Sequence, residues 1–276
     1  MFRQDAECAA SPISHMPSSR YRNPTVRPGW YKSRQRTITP AQKRAERAFW
    51  PLYGLAFAHQ QPLDLDAAFG RTTALRVLEL GCGCGEAVTE LAQSRPEHDF
   101  LAVDWMRRGL ATCLMELDNR SLSNVRLVRA DAATLLADAL PPLPTFDEVL
   151  VFFPDPWNGS PERRLIRPDV ISSLSAVMRP NGCVRVATDV AGYPQHIRAT
   201  LASARGWEAI PCGTLEAERT GHCRPSTLYE REAIAAGREI EDLCFVYDEP
   251  LDGQDPSTPA LDADWLSASS NGVVTD

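Results

Sequence analysis

Three features are missing from this 276-residue sequence, and each absence excludes a class of protein. There is no run of about 18 apolar residues, so the sequence predicts no membrane-spanning helix. The N-terminus lacks the apolar core of a secretory signal, and we therefore expect a cytoplasmic protein. The eight cysteines lack C-x-x-C spacing and matching histidine pairs, so we expect free thiols in a reducing compartment and no metal site.

Charge is distributed unevenly along the chain. The net charge is −7 at pH 7, which is unexpected for a protein that holds a polyanion, because phosphate contacts need lysine and arginine. Nine basic residues and one acid lie between Arg20 and Arg47, whereas nine acids and no base lie from Glu241 to the end. The two ends of the chain therefore suit different partners.

Both ends of the chain lack the periodicity of helices and strands. Residues 1–36 are rich in serine, proline and arginine, and residues 250–276 are acidic, so both tails are predicted to be disordered. One folded domain is expected between them, over residues 37–249. The basic N-terminal tail also contains aromatic residues, which suits contacts with nucleic-acid phosphates and bases or, equally, a solvated tail.

The folded domain is expected to begin with a helix over residues 40–50. Thr39 suits the N-cap, Pro40 the first helical position and Gln42 the third, so the start has the residues of a capping box. Pro51 is expected to end this helix, because proline disrupts a helix interior.

From Arg76 onward, short apolar runs alternate with helical periodicity. This alternation predicts an α/β fold with a mostly parallel sheet and helices on both faces. Residues Pro180 to Gly182 are expected to separate a helix from the strand that follows, and the last two strands are expected to form an antiparallel edge. Seven strands are predicted, at 76–80, 99–103, 125–128, 146–153, 183–187, 207–211 and 243–247.

The first of these strands ends in a glycine loop that contains Gly81, Gly83 and Gly85. Such a loop lets a ligand approach the backbone, and the helix after it offers unpaired N–H groups. The spacing is G-x-G-x-G, and Glu86 stands where a dinucleotide site has its third glycine. A carboxylate there would repel a pyrophosphate but not a cationic cofactor without phosphate. With Glu79 before it, the string resembles motif I of the class I S-adenosylmethionine-dependent methyltransferases, although a plain tight turn is the simpler alternative.

Each of five predicted strands delivers an acid to the same edge of the sheet, namely Glu79, Asp104, Asp131, Asp155 and Asp189. A single acid in such a position is often only a helix N-cap, but five carboxylates together need a cation or hydrogen-bond donors among them. The methyltransferase resemblance implies that S-adenosylmethionine is this ligand, with Asp104 at the ribose and Asp131 at the adenine. The implied cofactor contacts are Glu79, Gly81, Gly83, Gly85, Asp104 and Asp131.

The most specific string is Phe152-Phe153-Pro154-Asp155-Pro156-Trp157. Its two prolines restrict the loop and fix Asp155 and Trp157 beside the predicted cofactor pocket, where the indole offers a stacking face for a base or forms a hydrophobic lid. Together with the glycine loop and residues 227–231, it resembles the bacterial tRNA (guanine-N7)-methyltransferases, over about residues 30–247.

This resemblance implies a Rossmann-like class I methyltransferase that methylates N7 of a guanine in the variable loop of tRNA. It assigns Asp155 as the catalytic acid. We expect a monomer whose partner is tRNA and not a membrane. The residues expected to contact the substrate are Trp157, Asp189, Thr227, Leu228, Tyr229 and Glu230.

The sequence departs from this family on the substrate side. Gly159 stands where the family usually has a lysine, Leu228 replaces a common lysine, and the loop retains only Arg163, Arg164 and Arg167. Fewer phosphate contacts should weaken tRNA binding. An N-methyltransferase acting on a small, purine-like heteroaromatic metabolite is therefore the alternative enzyme. A non-catalytic tRNA-binding module is a third reading, against which the intact acids argue.

Overall fold

The computed structural model describes residues 37–58, 61–72, 74–140, 143–212 and 224–248. The predictions for the two tails, and for the domain boundaries next to them, lie outside these residues. The strands are β1 (Gly54–Leu55), β2 (Arg76–Leu80), β3 (Asp99–Asp104), β4 (Val125–Arg129), β5 (Phe146–Phe152), β6 (Met178–Thr188), β7 (Trp207–Ile210) and β8 (Glu241–Tyr247). The helices are α1 (Pro40–Tyr53), α2 (Leu65–Phe69), α3 (Glu86–Ser94), α4 (Arg107–Asn119), α5 (Ala132–Asp138), α6 (Pro168–Ser175), α7 (Tyr193–Ala202) and α8 (Leu228–Ala235).

The strands form one sheet in the order β1-β4-β3-β2-β5-β6-β8-β7. Strands β1 to β6 are parallel, whereas β8 is antiparallel to both β6 and β7. The predicted α/β fold and its antiparallel edge are confirmed. The number of strands is wrong by one, because the two residues of β1 are too few to show any periodicity in sequence.

Helices cover both faces of the sheet, as predicted. Val77 and Leu78 of β2 belong to different buried clusters, because successive side chains of a strand point to opposite faces. One cluster contains side chains of α3 and α4, and the other contains side chains of α5, α6 and α7. All five residues of β2 are buried, as expected for a central parallel strand. Among the described helices, none is long and apolar enough to cross a bilayer.

Two boundaries differ from the predictions. Helix α1 continues past Pro51 to Tyr53, because a proline so near the end disturbs only the last turn, which the Gly54 N–H closes on the Trp50 carbonyl. Strand β6 begins at Met178, so Pro180 to Gly182 lie inside a strand instead of before it. Asn181 has φ 61° there, and the pairing of β6 with β5 shifts register, which is the signature of a bulge.

The parallel strands bring their carboxyl ends to one edge of the sheet. The glycine loop follows β2, Asp104 ends β3, and Asp131 follows β4. Asp155 lies three residues beyond β5, and Asp189 comes directly after β6. The predicted meeting of five acids at one edge therefore agrees with the strand order.

Candidate active site

The glycine loop is held from behind and open in front. The N–H groups of Gly81 and Cys82 donate to the Val103 carbonyl at 2.8 and 3.0 Å, which ties the loop to β3. Gly81 and Gly83 have φ values of 86° and 55°, a region that favours glycine. A Cβ on either residue would meet no atom within 4 Å. The loop backbone thus borders open space that a ligand can fill.

Gly85 serves packing. A Cβ on Gly85 would lie 2.2 Å from the Cys113 Sγ, and one on Gly109 would lie 2.4 Å from the Gly83 carbonyl oxygen. Helix α4 therefore lies directly against the loop. Gly109 was missed by the sequence reasoning, although a glycine inside a helical pattern is a recognisable signal of close packing. No disulfide joins the cysteines of the described residues, which are Cys82, Cys84, Cys113, Cys183, Cys212 and Cys244.

Glu79 is a buried acid without a cationic partner among the described residues. Glu79 lies on β2, two residues before Gly81, with 4% of the residue exposed, and its Oε2 accepts no hydrogen bond from a described residue. Burial raises the pKa of Glu79 to about 8, with a further contribution from the charge of Asp104, while a hydrogen bond with the Val88 backbone acts in the opposite direction. A cation beside this carboxylate would oppose that shift, because it stabilises the charged form.

Asp104 fixes the loop and stays able to accept more hydrogen bonds. Its two oxygens accept the N–H groups of Gly83, at 2.8 Å, and of Met106. Burial raises the pKa of Asp104, these two hydrogen bonds lower it, and the charge of Asp155 raises it further. Asp104 and Asp155 therefore lie within electrostatic reach of each other. A carboxylate has about four acceptor sites on its two oxygens, so Asp104 can still accept a hydrogen bond from a ligand.

Asp131 is the N-cap of α5, which is the simpler of the two explanations for an acid at a strand end. Its Oδ1 accepts from the Thr134 N–H at 2.9 Å and from the Thr134 hydroxyl at 3.0 Å, at the start of α5. Its Oδ2 makes no hydrogen bond with a described residue. Asp131 is half-buried, so this second oxygen can still serve a ligand.

The loop after β5 holds its shape through unusual backbone angles. Phe153 and Trp157 have φ values of 52° and 42°, which are strained for bulky residues. The Phe153 N–H donates to the Ala187 carbonyl at 2.7 Å, and the Arg164 Nε donates to the Pro156 carbonyl at 2.7 Å. Between these anchors, Asp155 is exposed to solvent. The loop thus presents its carboxylate on a rigid support.

Helix α8 reaches across to the glycine loop. Glu86, the first residue of α3, accepts the Leu228 N–H and forms an ion pair with Arg231 at 2.6 Å. The Tyr229 ring stacks on Phe153, with ring centroids 6.3 Å apart. Burial raises the pKa of Tyr229, followed by the charges of Asp104 and Asp155, so this ring lies near both acids.

The other predicted substrate residues have partners within the protein. Thr227 is the buried N-cap of α8 and accepts the Glu230 N–H at 3.3 Å. The Glu230 carboxylate accepts from Arg224 at 2.7 Å, and Asp189 pairs with Arg238 at 2.6 Å. Trp157 is half-buried, with the Arg163 guanidinium 4.4 Å from its ring centroid. Their contacts with a substrate stay predictions.

Two features of this site escaped the sequence reasoning. Arg224 joins Glu230 to Asp242 and lies 5.5 Å from the ring centroids of Phe152 and Phe153. The contact between Glu86 and Arg231 joins residues 145 positions apart. No local pattern marks either contact, because both depend on how distant segments pack. Within the described ranges, no set of three or more histidine, cysteine, aspartate or glutamate side chains is placed to hold a metal ion.

Comparison with known proteins agrees with this geometry. Residues 73–243 match the family model Methyltransf_4, described as "Putative methyltransferase". A tRNA (guanine-N(7)-)-methyltransferase of Alkalilimnicola ehrlichii is 39% identical over 215 residues, which cover 77% of this chain and 89% of that protein. The protein of the same name from Leifsonia xyli subsp. xyli is 39% identical over 222 residues, covering 80% and 96%.

A solved structure supports the fold alone. The 16S rRNA methyltransferase KamB is 20% identical and superposes with a TM-score of 0.50, covering 69% of this chain and 96% of its own. The sequence relatives carry the finer assignment, because their identity exceeds one third over most of both chains. The prediction of a methyltransferase is thereby confirmed. This chain belongs to the tRNA (guanine-N(7)-)-methyltransferase family.

Proposed function

We propose that this chain transfers the methyl group of S-adenosylmethionine to N7 of a guanine in the variable loop of tRNA. One observation carries the proposal. Glu79, Asp104 and Asp155 are linked by electrostatic contacts at the carboxyl ends of adjacent strands, and none of them forms an ion pair with a described residue. Clustered carboxylates of this kind are suited to a ligand and a reaction centre that carry positive charge.

The residues present fit S-adenosylmethionine. This cofactor supplies an electrophilic methyl group on a positively charged sulfur and carries a cationic amino group. The unpartnered Oε2 of Glu79 and the open space before Gly81 and Gly83 suit its methionine end. Asp104 has lone pairs left for the ribose hydroxyls, and the Oδ2 of Asp131 can accept from the adenine amino group.

The substrate side suits a nucleophile that needs no activation. Guanine N7 has a lone pair and no proton, so no general base is required. The ring becomes cationic as N7 is methylated, and the exposed carboxylate of Asp155 would stabilise that charge as it develops. The indole of Trp157 and the stacked pair of Phe153 and Tyr229 would orient the base, and alignment would contribute most of the remaining catalysis.

The alternative of a small heteroaromatic substrate is not favoured. The relatives named above carry tRNA in their names and cover most of this chain. The cytoplasmic location and the monomeric state stay predictions.

Methyl transfer from labelled S-adenosylmethionine tests the proposal. Unmodified tRNA, the same tRNA with the variable-loop guanine replaced by adenine, and free guanosine would be compared. We expect label in the first alone, released as N7-methylguanosine on digestion. Label confined to guanosine, or none despite cofactor binding, would contradict the assignment of tRNA as the substrate.

A further inference from the structure

The loop after Trp157 uses its own arginines to hold its shape. The Arg164 Nε donates to the Pro156 carbonyl, and its guanidinium lies 4.9 Å from the Tyr193 ring centroid. Arg167 pairs with Asp169 at 2.8 Å and donates to the Arg164 carbonyl at 2.9 Å. This loop stands where the family usually has a strongly basic loop. Two of its three arginines, Arg164 and Arg167, make contacts within the protein.

Four other basic side chains make no contact of this kind with the described part of the protein. Among all lysine and arginine residues in the described ranges, these four make no hydrogen bond, ion pair or ring contact with another described residue. They are Lys43, Arg44 and Arg47 on α1, and Arg108 on α4. We call this set the α1 ridge.

Three of the four cations of the α1 ridge lie on one exposed face of α1, and Arg108 is on the neighbouring helix α4. Residues 43, 44 and 47 share a face of α1, since side chains three and four positions apart are neighbours on a helix, and all three are exposed. The opposite face is buried at Gln42 and Ala45. The Gln42 Nε2 donates to the Thr112 hydroxyl at 3.0 Å and to the Arg108 carbonyl at 3.4 Å, so the start of α4 lies beside the first turns of α1.

The ridge borders the candidate active site. Arg108 lies in the first turn of α4, four residues after Asp104, and its charge acts on the Cys84 thiol in the glycine loop. Helix α1 leads into β1, which is parallel to β4. The first turns of α1 are thus at the same edge of the sheet as the glycine loop, where Gln42 holds them against α4.

The acid next to the ridge is neutralised. Glu46 is the acid of α1, and its carboxylate is bound by the Arg107 guanidinium through two hydrogen bonds, one of them 2.6 Å long. The four cations of the ridge therefore project a local positive field from a chain whose net charge is −7. A polyanion approaches such a chain through a surface of this kind.

We propose that the α1 ridge binds the phosphate backbone of tRNA, and that it takes over this task from the loop after Trp157. The inference rests on the proposed function, because it supplies the phosphate contacts that a tRNA substrate needs. Each phosphate neutralised contributes roughly 0.7 to 0.9 to the slope of log affinity against log salt. The ridge contributes to tRNA binding and not to the chemistry of transfer.

The test is the double variant Arg44→Gln/Arg47→Gln, with tRNA binding measured by filter retention at several salt concentrations. Glutamine keeps the helix propensity of arginine, so α1 should stay folded. We expect the Kd and the KM for tRNA to rise roughly 10-fold at physiological salt, and the salt slope to fall by about 1.5. The Kd for S-adenosylmethionine and kcat at saturating tRNA should not change.

Two controls match this variant. Arg44→Lys/Arg47→Lys keeps both charges and should keep the wild-type salt slope. Arg120→Gln/Arg179→Gln removes the same charge from the opposite edge of the sheet, where Arg120 pairs with Glu116 and Arg179 with Asp147, and should leave tRNA binding unchanged.

The outcomes separate the two proposals. An unchanged Kd and salt slope in Arg44→Gln/Arg47→Gln, in a protein that methylates tRNA, would overturn the ridge and leave the proposed function standing. An equal loss of tRNA affinity in the Arg120→Gln/Arg179→Gln control would also overturn the proposed role of the ridge. The effect would then depend on the net charge of the protein and not on where the charge lies. A wild-type protein that binds no tRNA would overturn both.

Discussion

Both edges of the sheet carry acids, and they differ in what surrounds these side chains. At the amino ends of the strands, arginines meet the acids, in the pairs Arg71–Asp99, Arg179–Asp147, Arg95–Glu148 and Arg185–Glu148. At the carboxyl ends, Glu79, Asp104 and Asp155 have no ion pair with a described residue. The acids named at the first edge are compensated within the protein, whereas these three acids of the second edge are not, although Asp189 at that edge pairs with Arg238.

The paired acids of the amino edge stabilise the fold, whereas the unpaired acids of the carboxyl edge are available to a ligand. A buried carboxylate is costly unless it is paired, and Glu148 meets this demand with two arginines at 2.8 and 3.1 Å. Glu79 does not, and the desolvation appears as a pKa raised to about 8. A fold that leaves such a group without compensation is suited to a ligand that brings the missing positive charge.

The largest expected effect is on catalysis at the carboxyl edge. Asp155→Ala should lower kcat for tRNA methylation roughly 1,000-fold, because the carboxylate no longer stabilises the cationic guanine ring. The Kd for S-adenosylmethionine, measured by calorimetry, should stay within about 2-fold, since the residue is exposed and outside the predicted cofactor contacts. Near-normal turnover would mean that the active site has been placed wrongly.

At the amino edge, the corresponding change should affect stability alone. Glu148→Gln removes the countercharge of the buried Arg95 and one ion-pair partner of Arg185, and should lower the free energy of unfolding by about 3 kcal/mol in urea titrations. The Kd for S-adenosylmethionine at 20 °C should not change. A loss of cofactor affinity with unchanged stability would reverse the roles assigned to the two edges.

In contrast to Glu148→Gln, the variant Glu79→Gln should raise the free energy of unfolding. Because the pKa of Glu79 is about 8 in the folded chain, folding takes up a proton, and stability falls as the pH rises from the ordinary pKa of glutamate to about 8. The variant lacks this loss and should be about 4 kcal/mol more stable than the wild type at pH 8. Its Kd for S-adenosylmethionine should rise roughly 10-fold or more. Equal pH profiles of unfolding for both proteins would contradict the raised pKa.

The smallest expected effect concerns the contact between the glycine loop and α8. Glu86→Gln should lower kcat/KM for tRNA roughly 5-fold, because it weakens a partly exposed ion pair that holds Tyr229 near the site. The reversed pair, Glu86→Arg with Arg231→Glu, should recover part of this loss. If the double variant is no better than Glu86→Gln, the ion pair does not position α8.

The comparison of the two edges also marks the limit of sequence reasoning. The alternation of apolar runs with helical periodicity was enough to place Asp104, Asp131 and Asp155 at one edge, because parallel strands all end on the same side. The sequence did not distinguish a paired acid such as Glu148 from an unpaired one such as Glu79. Pairing depends on which side chains meet across the sheet, and no local pattern encodes that.

The missed features have the same origin. Strand β1 has two residues, and β6 contains a proline and an asparagine with positive φ, so neither has the usual pattern of a strand. Arg224 and the pair of Glu86 and Arg231 connect segments that are far apart in sequence. The three basic residues of α1 were counted in the sequence, but only the packing of Gln42 against α4 shows that Arg108 lies near the start of α1.

The central claim is that the unpaired acids at the carboxyl edge, Glu79 above all, bind the positive charge of S-adenosylmethionine. Its most direct test is calorimetric titration of S-adenosylmethionine at pH 7 in two buffers with different ionisation enthalpies. With a pKa of about 8, Glu79 is mostly protonated in the free protein. We therefore predict that binding releases about one proton in the wild type and none in Glu79→Gln. Buffer-independent heats for the wild type would contradict the claim that Glu79 binds the positive charge of the cofactor.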